Sequence, residues 1–327
     1  MTDHCQSNAQ EQQEKFLLID GHADILYRMD REHLDFYEDC DTLHLNYKRL
    51  CQADIDLQVF VLFPDDRLTD GEQLRAVLGM IDMFYQRVCV GGKMRPVLST
   101  VDLNKNLELG LRSGLLSIEG GGCLQGDLRQ LRIMYQLGVR AMGLTWNTGN
   151  CIADGVGEPQ DRGLTPFGRE VVREMNRLGM VVDVSHLAPK GFWGVVEEST
   201  APFIASHSNA KAIHNHRRNL DDNQIRAIIE AGGTVGLTYV PYFVSDKEQV
   251  TIQDLLRHVD HILALGGENH LALGSDFDGI ETTMVDLRHG GDYPRLQEAL
   301  VKAYGDTVTR KIMGENFKRV LLDVLKD

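Results

Sequence analysis

Eight short apolar runs punctuate the chain: "FLLIDGHAD", "ADIDLQVFVLF", "SGLLSIEGG", "VRAMGLTWN", "GMVVDVSHL", "PFIASHSNA", "GGTVGLTYV" and "HLALGSDFDG". Each has the length and β-rich composition of a strand. Between them the apolar positions fall at helical spacing, which predicts helices over Gly71–Val90, Asp127–Leu137, Thr165–Leu178, Lys190–Glu198, Asp221–Ala231 and Thr251–Leu265. Thr165-Pro166 supplies a cap with proline at the first helical position, and Gly179 supplies the stop. Strand and helix in alternation predict parallel strands joined by crossovers. Eight of them make an α/β fold of the (β/α)₈ TIM-like barrel type, with additional helices in the segment Glu281–Asp327. No linker, repeat or composition break divides residues 16–327, which therefore read as one domain behind a flexible polar leader, residues 1–15.

A doubly wound open sheet uses the same alternation, and periodicity does not separate the two architectures. The polar residues do, because a barrel collects its chemistry where strands end and the following loops begin. His22, Asp24, Glu119, His186, His207 and Asp276 each sit at the end of a hydrophobic run. In the first run Asp20, His22 and Asp24 alternate, so they share one face of a strand, where uncompensated charge is expensive. Singly, each histidine reads as a hydrogen-bonded structural residue. Gathered at one mouth, three histidines and three carboxylates suit two divalent metal ions with one carboxylate shared between them. Imidazole with carboxylate favours zinc, while manganese, cobalt and iron remain compatible. Asp20 is expected to hydrogen-bond deeper in the interior.

Other conspicuous residues carry plainer readings. "HNHRR", His214–Arg218, falls in a loop after the sixth strand and fits solvent or substrate contact. His258 and His261 lie three apart on a helix and are expected on its outer surface. The "EGGG" run lacks the glycine spacing and lysine of a phosphate loop, and no G-x-S-x-G elbow is present. A formal net charge of −14 disfavours nucleic acid and anionic membranes as partners, leaving a small molecule as the expected ligand. The six cysteines form no C-x-x-C pair, and neither an export signal nor a run of about 18 apolar residues is present. The expected location is the cytoplasm.

Six motifs in order, "DGHAD", "SIEGG", "DVSHL", "SHSNA", "RRN" and "GSDFDG", make the chain resemble the membrane (renal) dipeptidase family, from about Phe16 to Leu322. The resemblance implies a binuclear zinc dipeptidase. His22, Asp24 and Glu119 would hold one ion, Glu119, His186 and His207 the other, and Glu119 would bridge. Two cations acidify a shared water, and the hydroxide attacks a polarised peptide carbonyl. By the same likeness Asp276 takes the proton and passes it to the leaving amine, while Asp278 orients ligands. Arg218, with Arg217 as the fallback, would receive the terminal carboxylate of the dipeptide through its planar fork. Tyr239 would line the pocket. A homodimer is open by analogy with barrels of this kind.

One departure concerns the substrate. Family members of defined dipeptidase activity carry a histidine where this chain has Trp146, in "GLTWNTGN". An indole donates one hydrogen bond and carries no charge, so oxyanion stabilisation would shift to Asn147, to the metal or to nothing. Small amides or lactams therefore stand as an alternative substrate class. A metal-bound barrel that binds a peptide-like ligand without catalysis is the rival from a different class, and Asp276 argues against it.

Overall fold

The computed structural model describes residues 15–327, so the expected leader lies outside the described residues except for Lys15, whose ammonium pairs with Asp56 at 2.6 Å and Asp54 at 3.0 Å. The strands are β1 (Ile19–Ala23), β2 (Leu57–Leu62), β3 (Arg95–Pro96), β4 (Ser113–Glu119), β5 (Val139–Gly143), β6 (Val181–Asp183), β7 (Val235–Leu237) and β8 (Leu271–Leu273). All pairings are parallel, in the order β6-β5-β4-β2-β1-β8-β7, with β3 alongside β4. Apart from the short β3, every strand residue is buried, as parallel strands covered on both faces require.

Five of the expected helices appear within one residue of their expected ends: Leu128–Gln136, Pro166–Leu178, Pro189–Glu198, Asp222–Glu230 and Ile252–Ala264. Local chemistry explains the boundaries. Thr165 accepts the Gly168 N–H at 2.9 Å, and Gly179 stops its helix at φ +79°. Asp221 and Gln224 form a reciprocal capping box. The expected helix Gly71–Val90 is an α-helix over Asp70–Met83 that widens into a π-turn at Phe84–Val88.

The C-terminal helices Tyr293–Arg310 and Asn316–Val324 complete the chain. Phe317, Val320, Leu321 and Val324 pack with Ile19, Leu57 and Val181, the first residues of their strands. The C-terminal helix thus plugs the apolar end of the sheet interior, and the polar residues collect at the opposite end.

The sixth run does not form a regular strand. Ile204 bridges Asp183 and Ala205 bridges Val235, both in parallel, so this segment spans the two edge strands β6 and β7. The ladder stops at Ser206 because its N–H is taken by the Asp183 carboxylate, at 2.9 Å, instead of by a strand carbonyl. His258 also departs from expectation. It is fully buried, its Nδ1 accepts the Ala210 N–H at 3.1 Å, and its Nε2 lies 2.9 Å from the Val244 carbonyl. Burial pushes its pKa down to about 4, so it is a neutral strut. His261 keeps to the outer side, 2.7 Å from Asp222. Among the described residues no helix is long and apolar enough to cross a membrane.

Close packing around the sixth segment makes a test. A Cβ on Gly274 would stand 1.7 Å from the Ser206 carbonyl oxygen, and one on Gly236 would stand 1.9 Å from it. Gly274→Ala is expected to destabilise the fold by at least the roughly 1–3 kcal/mol of ordinary overpacking. Thermal denaturation reads this as a lowered Tm, and an unchanged Tm would contradict the close approach.

Candidate active site

The mouth is assembled from loops that the backbone laces together. Asp276 N–H bonds the His22 carbonyl at 3.0 Å, and Asp24 N–H bonds the Phe277 carbonyl at 2.8 Å, tying the end of β1 to the loop after β8. Asp20 sits beneath, as expected, accepting the Ser275 N–H at 2.9 Å and hydroxyl at 2.7 Å. Three of the candidate residues have left-handed backbone, His186 at φ +66°, Asp276 at φ +65° and Asp278 at φ +67°. Non-glycine residues in that region store roughly 1–3 kcal/mol of strain, which surrounding contacts must offset.

Of the five side chains expected to bind metal, three imidazoles meet at one oxygen of Glu119, and Asp24 joins through His22. Glu119 Oε1 lies 3.1 Å from His186 Nε2, 3.5 Å from His207 Nε2 and 3.6 Å from His22 Nε2, and Asp24 Oδ2 lies 3.7 Å from His22 Nε2. Donor atoms within 4.8 Å of one another form the groups His22–Asp24–Glu119, Glu119–His186–His207 and His22–His207–Asp276. All these side chains except the half-buried Asp276 are buried.

The ring partners decide what the imidazoles offer. His186 Nδ1 stands 2.9 Å from Asn147 Oδ1, which accepts, so Nδ1 carries the proton and Nε2 the lone pair. His207 Nδ1 stands 2.8 Å and His22 Nδ1 3.1 Å from the Ser206 hydroxyl oxygen. The His186 and His207 Nε2 atoms face each other at 2.9 Å. Bare lone pairs at that separation repel, and a cation relieves them. His22 Nε2 and Asp24 Oδ1 are buried without a hydrogen-bond partner. This donor set fits divalent metal of the imidazole- and carboxylate-binding kind.

Electrostatics agree with that fit. Burial pushes the His22 pKa down to about 3 and holds those of His186 and His207 well below the usual range, so the rings are neutral donors. Burial first, and like charges second, hold Asp24 and Glu119 well above ordinary carboxylates. Burial also raises Asp276 to about 7 against the pull of the Arg218 guanidinium.

The mouth opens into a cavity of ≈ 110 Å³ with Tyr27, Phe63, Trp146, Tyr242, Phe243 and Ile280 on its walls and Asp24, Glu119, His186 and Asp276 at its polar side. Trp146 rests 5.2 Å from the Phe63 ring and 5.8 Å from His186, centroid to centroid. Arg218 is buried, donates from Nη2 to the His207 carbonyl at 3.1 Å, and leaves Nε without a partner, whereas Arg217 is exposed. Asn147 lines the cavity, with its carbonyl oxygen engaged by His186.

Two expectations fail on geometry. Tyr239, two residues past the end of β7, is fully buried against Phe277 and Tyr293 and does not line the cavity, whereas Tyr242 and Phe243 do. Asp278 turns away to accept the His44 and Leu45 N–H groups at 2.7 and 3.0 Å, so it anchors that loop and does not join the carboxylates of the mouth. Ser206 and Asp183 escaped sequence reasoning. The signal for Ser206 was the hydroxyl residue directly before the histidine in "SHS", and that for Asp183 was a carboxylate closing the apolar run "MVVD" three residues before His186.

A family model described as membrane dipeptidase, peptidase family M19, matches residues 6–326. The dipeptidase tcpJ of Claviceps purpurea is 32% identical over 327 residues, 93% of this chain and 76% of its own. Among solved structures, dipeptidase AC, a metallopeptidase of family M19, superposes with a TM-score of 0.90 at 29% identity, covering 96% of this chain and 100% of that one. A Rhodobacter sphaeroides metallopeptidase liganded with a phosphinate mimic of L-Ala-D-Ala superposes at 0.88 with 27% identity, covering 95% and 100%.

Ions that bind only the folded state stabilise it, by about 2.7 kcal/mol at a hundredfold excess over Kd. Zinc added to chelator-treated protein is therefore expected to raise the Tm, and Glu119→Gln, which removes the negative charge that the three imidazoles surround, to lose most of that rise. An equal rise in both proteins would refute a metal-binding role for Glu119.

Proposed function

Since the chain belongs to the membrane dipeptidase family, peptidase family M19, we propose that it hydrolyses the peptide bond of dipeptides at a centre of two divalent cations, zinc by preference. His22, Asp24 and Glu119 would hold one ion and Glu119, His186 and His207 the other. The observation that carries this reading is the single Glu119 oxygen ringed by three Nε2 atoms at strand ends, facing a small cavity. The segment containing Ile204 and Ala205 is read with it as the eighth stave of a closed (β/α)₈ barrel, supported by its parallel bridges to both sheet edges.

When bound, such ions supply Lewis acidity that makes water nucleophilic at neutral pH and polarises a carbonyl. The chain's own residues do the rest. A carboxyl oxygen of Asp276, raised towards neutrality by burial, takes a proton from the nucleophile and returns it to the leaving amine. Arg218, already buried and with Nε unpartnered, receives the C-terminal carboxylate. Asn147 holds the His186 ring in its working tautomer. Trp146, with Phe63, walls the cavity against water and against bulky substrate side chains.

Arg218→Lys keeps the charge and loses the fork. It is expected to raise the KM for unblocked dipeptides by roughly 10- to 100-fold, the equivalent of about 1.5–3 kcal/mol for a charged hydrogen bond, with a smaller change in kcat. Steady-state kinetics on a dipeptide and its C-terminal amide check this, and equal turnover of the two by the parent would remove the role of Arg218. The apolar wall around Trp146 favours a second reading as a small-molecule amidase. Hydrolysis of N-acyl amino acids or cyclic amides, with dipeptides inert, would replace the dipeptidase reading by that one.

A further inference from the structure

The Ser206 hydroxyl lies behind the candidate centre, between the two histidines assigned above to different ions. Its Oγ is 2.5 Å from Asp183 Oδ2, 2.8 Å from His207 Nδ1 and 3.1 Å from His22 Nδ1. A serine hydroxyl offers one proton and two lone pairs. Asp183 Oδ2 takes the proton: it is the nearest acceptor, and the other carboxyl oxygen, Oδ1, is occupied by the Ser185 and Ser206 N–H groups at 2.9 Å each. Both lone pairs then face imidazole nitrogens, so each of those nitrogens must carry hydrogen. Ser185 Oγ, which accepts the His207 N–H at 3.1 Å, lies 3.4 Å from Ser206 Oγ, farther than either imidazole nitrogen and at the limit of hydrogen-bond range. The His22 and His207 rings lie against each other with centroids 3.7 Å apart, so one hydroxyl can pin both.

We propose that Ser206, held by Asp183, is a positioning residue shared by the two ion sites: it locks His22 and His207 in the Nδ1–H tautomer together, so that both sites keep or lose their affinity as a pair. The inference rests on the two-ion reading above and adds a coupling to it. Asn147 provides the contrast, because it reaches His186 alone and therefore one site only.

The test is stepwise metal titration of the full chain after chelator treatment, with affinities from zinc-chelator competition and site occupancy from cobalt absorption. Ser206→Ala is expected to weaken both sites by about 10- to 100-fold, the usual effect of removing a group that orients a metal-binding histidine. Asn147→Ala is expected to weaken one site, and Ser206→Thr, which keeps the hydroxyl, to bind as the parent does. A parent that takes up two ions while Ser206→Ala loses affinity at one site, or at neither, overturns the shared role and leaves the two-ion reading intact. A parent that takes up no zinc or cobalt overturns both. Should Ser206→Ala fail to fold, ¹⁵N spectra of the histidines in the metal-free parent decide: Nδ1–H is expected for His22 and His207, and Nε2–H on either overturns the proposal.

Discussion

Glu119 Oε1 and the Nε2 atoms around it form a knot of buried polar atoms, three imidazoles within 3.6 Å of one carboxylate oxygen. Removed from water, each of these groups loses hydration, and that loss pushes the carboxylate upward and the histidines downward in pKa. Holding them together out of water requires a scaffold that is stable elsewhere. The parallel sheet meets that demand. Its strands are buried on both faces, and the last helix seals the opposite end with Phe317, Val320, Leu321 and Val324. The interior therefore divides into an apolar end that stabilises and a polar end that is free to be costly.

The outer ring of partners gives the knot its chemistry. An imidazole can present either nitrogen, and only its second hydrogen bond decides which. Here Asn147 decides for His186, and the Ser206 hydroxyl faces both remaining rings. Left-handed backbone at His186 and Asp276 belongs to the same design, turning side chains inward where the strands stop. The aromatic wall of Phe63, Trp146 and Phe243 limits the space above the centre, which links the replacement at Trp146 to substrate shape more than to metal binding.

Much of this was legible from local pattern. Helix ends followed from Thr165-Pro166, Gly179 and the Asp221–Gln224 box, whose hydrogen bonds span only a few residues. The strand-end position of His22, Asp24, Glu119, His186 and His207 followed from where apolar runs stop. Long-range bonds were not legible. His258 looked like a surface residue by helical spacing, yet Ala210 and Val244 bury it; Asp278 shares the "SDFD" motif with Asp276, yet two N–H groups from the loop near His44 draw it away. Tyr239 ends its run as the others do, but faces Tyr293 from a helix 54 positions on in the numbering.

The sequence by itself determined which residue types stand at strand ends and in what order, because side-chain alternation and capping are local and need no partner. Only the tertiary structure decided which of those ends converge, which nitrogen each ring presents and which carboxylates turn aside. Those outcomes depend on hydrogen bonds such as Ser206 to His22, 184 residues apart, for which linear spacing carries no trace.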